Sequence, residues 1–257
     1  MKKELVVIIL AAGRGKRLGG KNQKVVHQLM GKPLLSYLLS TVKSLNPQRI
    51  IIVVGFQKEQ VFSWVRDDKI EFVEQKEPKG TGHAVATAEE KLRDYRGDVL
   101  ILCGDVPFLT GETLLEVIEK HQRENNAVTV LTAITDNPTG YGRIVRDGNS
   151  VIGIVEELNA SGQQKAIKEI NAGIYVFKSL ELFQTLPELV PDPVKGEYYL
   201  TDVIGILARK GYQVGAHQTP CREEVMGINT EEDLKRAEEW LRQKNKTGDK
   251  DFVSRRG

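Results

Sequence analysis

The sequence predicts an α/β fold: a mainly parallel, Rossmann-like sheet flanked by helices on both faces, with a small β-rich insertion. Three observations carry that expectation. Apolar runs bounded by Gly or polar residues alternate with segments of helical periodicity from residue 5 to about 134. The runs LVVIIL and DVLILCGD are long enough, and apolar enough, to read as buried strands. From about residue 137 the rhythm gives way to short strands around turn residues.

Leu5–Leu10 is the first strand. PLLSYLLSTVKSL (Pro33–Leu45) repeats its apolar residues at helical spacing, and IIIVVG (Ile50–Gly55) is the next strand. After a short amphipathic stretch come the strand IEFVEQ (Ile70–Gln75), a helix over His83–Leu92 and the strand Asp98–Asp105. TGETLLEVIEKHQREN (Thr110–Asn125) is helical and AVTVLTAI (Ala127–Ile134) is a strand. Right-handed crossovers between such units build a parallel sheet.

RIVRDGNSVIGIVEE (Arg143–Glu157) then reads as two short strands around an Asp-Gly turn. EINAGIYVF (Glu169–Phe177) alternates like a strand, and EYYLTDVIGILARKG (Glu197–Gly211) reads as a helix closed by Gly. YQVGAHQ is a last strand, and NTEEDLKRAEEWLRQ is a helix opened by a Thr230/Asp233 capping pair. One domain over residues 1–244, with a β-rich insertion at 137–196 and a mobile tail at 245–257, accounts for the whole pattern.

A net charge of +2 argues against bulk electrostatic binding to nucleic acid. Two cysteines, Cys103 and Cys221, give neither a disulfide framework nor a metal cluster, and point to a cytoplasmic chain with reduced thiols. Met1-Lys2-Lys3 before an apolar run imitates a signal peptide, but Glu4 interrupts the basic region and the run ends in a Gly/Arg/Lys loop. No apolar run approaches the roughly 20 residues of a membrane span.

The first strand runs into AAGRGKRLGGKNQK, which gathers Arg14, Lys16, Arg17, Lys21 and Lys24 among glycines, as an anion-binding loop would. A dinucleotide fingerprint needs a third Gly at 18, where Leu18 stands. A P-loop fits Gly15…Gly20-Lys21, but Asn22 stands where a hydroxyl should meet Mg²⁺. What is left is a longer loop whose backbone N–H groups and basic side chains wrap a nucleoside triphosphate.

LAAGRGKRL…QKVVHQLMGKPLL resembles the signature of sugar-1-phosphate nucleotidylyltransferases, and most nearly that of the uridylyltransferase domains of bifunctional bacterial N-acetylglucosamine-1-phosphate enzymes. Gln75 with GTGHA (Gly80–Ala84), CGDVP, YGRIV, VEE, EINAGIYVF, GEYYLTD and GINTEEDL resemble further family segments, in the family's order, across residues 5–234. The resemblance implies the nucleotide-diphospho-sugar transferase fold. It also implies attack of a sugar phosphate oxygen on the α-phosphorus of UTP, expelling pyrophosphate. A phosphate monoester is already largely ionised at neutral pH, its second pKa being about 6. Such a nucleophile needs no acid–base set, only positioning and charge neutralisation.

The resemblance assigns Arg17 and Lys24 to the transferred phosphoryl group. Leu10, Ala11, Ala12, Gly13, Arg14, Gln75, Gly80 and Thr81 go to the nucleotide, and Gly142, Glu156, Asn171 and Thr201 to the sugar. Lys16 and Lys21 read as solvated and His83 as structural, while Tyr198 and Tyr199, of a kind more often core than contact, are left unassigned. Asp105 and Asn229 would hold Mg²⁺, a hard cation that takes few protein ligands plus phosphates and water. On local sequence alone, Asp105 reads either as that ligand or as a turn cap, and Asn229 either as a ligand or as a helix cap.

Two residues depart from the pattern. Gln23 replaces the proline before the signature Lys, which implies a less rigid loop, and Cys103 replaces a tyrosine. A related enzyme for another base or sugar, or a catalytically idle sugar-nucleotide sensor, would share the loop. The expected partners are UTP and a sugar 1-phosphate, with no nucleic acid and no membrane. Residues after Leu234 show no hexapeptide period, so neither a β-helix trimer nor acetyl transfer is expected of this chain, which should be a monomer or small dimer.

Overall fold

The structure, a computed structural model, describes residues 4–246 except Lys21, and only the backbone of Lys16, Asn245 and Lys246. Its strands are β1 (Leu5–Ala11), a two-residue ribbon of β2 (Gln28–Leu29) and β3 (Lys32–Pro33), then β4 (Arg49–Val54), β5 (Ile70–Glu74), β6 (Asp98–Cys103) and β7 (Val128–Ile134). After these come β8 (Arg143–Asp147), β9 (Ser150–Val155), β10 (Glu169–Lys178) and β11 (Val214–Gln218). The α-helices are α1 (Leu34–Ser44), α2 (Lys58–Trp64), α3 (Thr81–Ala86), α4 (Gly111–Arg123), α5 (Gly162–Lys165), α6 (Ser179–Thr185), α7 (Thr201–Arg209) and α8 (Glu231–Lys246).

The main sheet runs β11-β7-β10-β6-β1-β4-β5, with the β8–β9 hairpin hung from β10. β1 pairs in parallel with β4 and β6, β4 with β5, and β7 with β11. β10 runs against its neighbours β6 and β7, and the β8–β9 hairpin beside it is antiparallel as well. A mainly parallel sheet flanked by helices is therefore what forms. The insertion expected at 137–196 is not set apart from it, because β10 lies inside the main sheet.

Alternation along β1 divides the core. Val7, Ile9 and Ala11 pack with Leu35, Leu38 and Val42 of α1 and with Leu114 and Val117 of α4. Val6 and Ile8 face the other layer, with Val85, Leu92, Phe177 and Leu207. Full burial of each such side chain is worth about 1.5–3 kcal/mol, so a charge on either face of β1 would be costly. A third cluster seats α8 over the glycine-rich loop after β1: Leu18, Leu29, Phe108, Ile228 and Leu241 are buried together, and the Phe108 and Trp240 rings lie 4.5 Å apart. Leu18, which breaks the dinucleotide fingerprint, is thus a core residue.

Three sequence expectations shift. The helix foreseen over His83–Leu92 starts two residues earlier, ends at Ala86 and resumes as a 3-10 turn at Glu89–Leu92. The helix foreseen from Glu197 starts at Thr201, because Gly82 N–H donates to Tyr198 O and Tyr198 N–H to Lys79 O, both 2.8 Å, which ties the preceding residues to the Lys79–Gly82 segment. Asn245 and Lys246, expected in the tail, continue α8; residues 247–257, the rest of it, lie outside the described residues.

Candidate active site

The carboxyl ends of β1, β4 and β6 point to one edge of the sheet, where open parallel sheets carry their ligands. A cleft of about 900 Å³ lies there. Leu10, Ala11, Ala12, Gly13, Arg14, Arg17 and Lys24 line it from the first strand and its loop, with Gln75, Gly80 and Thr81, and Cys103, Asp105, Asn229 and Glu156 also face it. Of the residues assigned from sequence, Gly142, Asn171 and Thr201 do not line it.

No helix follows β1 directly. The chain turns through left-handed Gly15 (φ 58°), a 3-10 turn at Lys16–Leu18 and left-handed Gly19 (φ 83°). Gly15 also lies against Lys24, whose Cβ would be 3.1 Å from a Cβ placed there, so the two ends of the loop close on each other.

Gln23 fastens that closure. It is fully buried, and its Nε2 donates to the carbonyls of Ala11 and, at 3.3 Å, Gly13. Its Oε1 accepts from Val25 N–H at 2.6 Å, and its own N–H donates to Gln60 Oε1 at 2.8 Å. The loss of rigidity expected from replacing proline is therefore made good: φ of −62° is one that proline would impose, and here hydrogen bonds hold it. A lone Gln in a Gly/Lys-rich loop gives no such signal in sequence.

Lys24 Nζ lies against Asp105 Oδ2 and 2.8 Å from Asn229 Oδ1, and Arg17 Nη2 donates to the same Oδ1 at 3.3 Å. Asn229 Nδ2 donates to Gly227 O at 3.2 Å, which turns its oxygen toward the cations. Asn229 N–H and Thr230 N–H both donate to Asp233 Oδ2, and Asp233 N–H to Thr230 Oγ1, so the capping pair forms and leaves the Asn229 side chain uncommitted to the helix. Two hard oxygens thus converge on a point now held by an ammonium. Such a donor set fits Mg²⁺, which is held by one or two protein oxygens with phosphates and water completing its shell. Arg14 extends from the loop over the Phe56 ring, 5.8 Å from its centroid.

At the opposite end, Gln75 Nε2 donates to Gly80 O at 3.0 Å and lies 3.0 Å from His83 Nδ1. Gly80 adopts φ 97°, and a Cβ there would sit 2.5 Å from Tyr198 O. The close approach that requires a glycine is thus made by the chain's own backbone.

Glu156 reaches the cleft from the end of β9, and Thr201 Oγ1 donates to its Oε1 at 2.8 Å. Burial pushes the Glu156 pKa up, and the Thr201 bond partly offsets this. Behind it, Gly142 leaves room for Ile154, whose Cγ2 would be 2.9 Å from a Cβ placed there, while Asn171 Cβ and Glu156 Oε2 would lie at ordinary contact, 3.5 and 3.6 Å. Asn171 N–H donates to Gly142 O, its Oδ1 accepts from Gly173 N–H, and its Nδ2 donates to Tyr175 Oη at 2.7 Å. Thr201, Gly142 and Asn171 therefore form a layer that braces Glu156 rather than a wall. Sequence reasoning did not foresee Lys195 and Glu197, which line the cleft beside Glu156 from the loop before α7. Burial pushes the Cys103 thiol up to about 12, so it stays neutral and offers no nucleophile.

A cation-lined loop after the first strand of a mainly parallel sheet, entered by no helix and facing a carboxylate at the end of the neighbouring strand, suits a nucleotidyltransferase. The chain belongs to the MobA-like NTP transferase domain family, whose model matches residues 7–174. It is 47% identical over 204 residues to the bifunctional protein GlmU of Cutibacterium acnes, covering 79% of this chain and 49% of that protein. It is 42% identical over 241 residues to the bifunctional protein GlmU of Syntrophotalea carbinolica, covering 94% and 52%. The chain spans about half the length of the curated relatives it matches. UDP-glucose pyrophosphorylase complexed with UDP-glucose superposes with a TM-score of 0.77 at 18% identity, over 94% of this chain and 99% of that one. That likeness carries the fold. No helix among the described residues is long and apolar enough to cross a membrane.

Proposed function

We propose that the chain transfers a uridylyl group from UTP to N-acetylglucosamine 1-phosphate, releasing pyrophosphate and forming UDP-N-acetylglucosamine. The observation that carries this reading is the convergence of Lys24, Arg17, Asp105 and Asn229 in one cleft with Gln75 and Glu156. A triphosphate seated along the Ala11–Gly15 backbone brings its α-phosphorus to these cations, and a sugar phosphate beside Glu156 lies on the far side. The phosphate oxygen forms the new P–O bond as the bond to the β-phosphate oxygen breaks, and pyrophosphate carries away the electron pair. No proton need move.

Lys24 and Arg17 neutralise the charge that spreads onto the equatorial oxygens, in a geometry set before substrate arrives. Asp105 and Asn229 would hold a Mg²⁺ whose chemistry is to screen the phosphates. Glu156, braced by Thr201 and backed by the Gly142–Asn171 layer, would accept hydrogen bonds from the sugar hydroxyls and the acetamido N–H. The substrates are small molecules, and the chain acts on them in the cytoplasm as a monomer or small dimer.

The test is a panel of UTP, dTTP, CTP and GTP against N-acetylglucosamine 1-phosphate and glucose 1-phosphate, with and without Mg²⁺, scored by pyrophosphate release. The expected result is a Mg²⁺-dependent signal for UTP with N-acetylglucosamine 1-phosphate above the other pairs. A stronger signal for another pair reassigns the base or sugar, and none at all defeats the reading.

A further inference from the structure

The hydrogen bonds of the Gln75 carboxamide are distributed in a way that limits what it can read. Gly80 O can only accept, so the Gln75 atom 3.0 Å from it is the amide nitrogen. Gly80 O is itself fixed, because it also accepts the Ala84 N–H at 3.0 Å in the first turn of α3. The second N–H of Gln75 is directed at His83 Nδ1, also 3.0 Å away, which requires an unprotonated Nδ1. Both donors are then spent, and Gln75 Oε1, on the wall of the cleft, takes no hydrogen bond from the described residues. Turning the amide over would set its oxygen 3.0 Å from the Gly80 carbonyl, a clash of two acceptors that no tautomer of His83 relieves.

We propose that His83 is a positioning residue for base selection: with Gly80 O, it keeps the Gln75 carboxamide acceptor-only toward the cleft, so that the site takes a pyrimidine presenting an N–H and turns away one presenting a lone pair. This rests on the nucleotide reading above and deepens it. Uracil and thymine carry a ring N3–H between two carbonyls, and that N–H donates to Gln75 Oε1. Cytosine places an N3 lone pair at the same point, where two acceptors meet with no hydrogen between them. A site built around one hydrogen bond discriminates strongly against the analogue that cannot make it. With His83 removed, one amide N–H is released and the carboxamide is pinned at Gly80 alone.

The experiment measures kcat/KM for UTP and CTP in the intact chain, in His83→Leu and in His83→Asn, and in parallel the binding of each nucleotide by calorimetry. Leucine fills the space without an acceptor. Asparagine can place Oδ1 where Nδ1 stood. The expected result is a wild-type UTP:CTP ratio of at least about 10³, a fall of at least tenfold in His83→Leu, and recovery to within about threefold of wild type in His83→Asn, with the KM for the sugar phosphate unchanged throughout. A His83→Leu protein that keeps the wild-type ratio overturns the proposal. So does a His83→Asn protein that is as unselective as His83→Leu, since packing alone would then be at work. If His83→Leu does not fold, the Asn variant decides. Should the wild type release no pyrophosphate with any nucleotide, the functional reading fails, and the calorimetric UTP:CTP ratios still judge His83.

Discussion

Thr201 Oγ1 donates to Glu156 Oε1 at 2.8 Å, and this bond is what steadies a carboxylate that the fold otherwise penalises. Burial raises the Glu156 pKa, with Asp202 and Asp192 adding to the rise and Thr201 and Lys195 opposing it. A folded-state pKa above the unfolded value contributes stability in full below the unfolded value of about 4.5, and loses it as pH rises through the raised one. Glu156→Gln removes that loss. Its melting temperature relative to wild type should climb as pH passes upward from about 4.5 and then level off, while turnover at neutral pH falls at least about tenfold. A difference that stays flat from acid to neutral pH would refute the sign.

Lys24→Ala and Arg17→Ala should each lower kcat by about 10²–10³, the usual cost of removing a preorganised donor to developing charge. Circular dichroism should be unchanged, because neither side chain is in the core. Near-normal turnover in both would reduce the basic loop to a solvated surface.

Asp105→Asn keeps shape and removes charge. Rate as a function of Mg²⁺ should lose its saturable rise, and binding of Mn²⁺ followed by electron paramagnetic resonance should weaken at least tenfold. Unchanged Mn²⁺ binding would free Asp105 of the metal role and leave it as the ion-pair partner of Lys24.

Tyr175→Phe deletes the hydroxyl that accepts from Asn171 Nδ2. A neutral hydrogen bond is worth about 1 kcal/mol, so the KM for the sugar phosphate should rise about fivefold with kcat little changed. The steady-state parameters of the variant check it directly.

Gly80→Ala should destabilise by about 2–4 kcal/mol in urea denaturation, from a left-handed backbone plus a Cβ driven into Tyr198. Gly19→Ala is the control: it has the left-handed backbone (φ 83°) with nothing within 4 Å, so about 1–2 kcal/mol is expected. Equal losses would mean that the Tyr198 contact relaxes.

What the sequence made legible was local in kind. The strands of β1, β4 and β6 announce themselves by continuous apolar runs, and Gly148 in its Asp-Gly turn by the type of residue a hairpin needs. Asp105 and Lys24 are 81 residues apart in the chain, and their meeting was reached through resemblance, since no spacing rule spans such a distance. The Gln23 staple and the Gln75–His83 bond were not legible. Each depends on which atom of a carboxamide faces which neighbour, and a one-letter code carries no such direction. The reversed direction of β10 escaped for a similar reason: alternation along Glu169–Phe177 marks a strand but not its polarity or its partners.

That strand bears on how such a protein can be recombined. β10 carries Asn171 at its cleft end, while Tyr175 lies opposite both Ile101 and Val130 and Phe177 opposite both Val99 and Val128. A graft of residues 137–196 from a relative would import a rung of the host's central sheet along with Glu156 and the layer behind it. The cleft surface at Glu156 and the packing of the core are therefore inherited as one unit. Chimeras should work only when the donor's β10 matches the recipient's β6 and β7, whereas point changes confined to Glu156, Lys195 and Glu197 leave the sheet untouched.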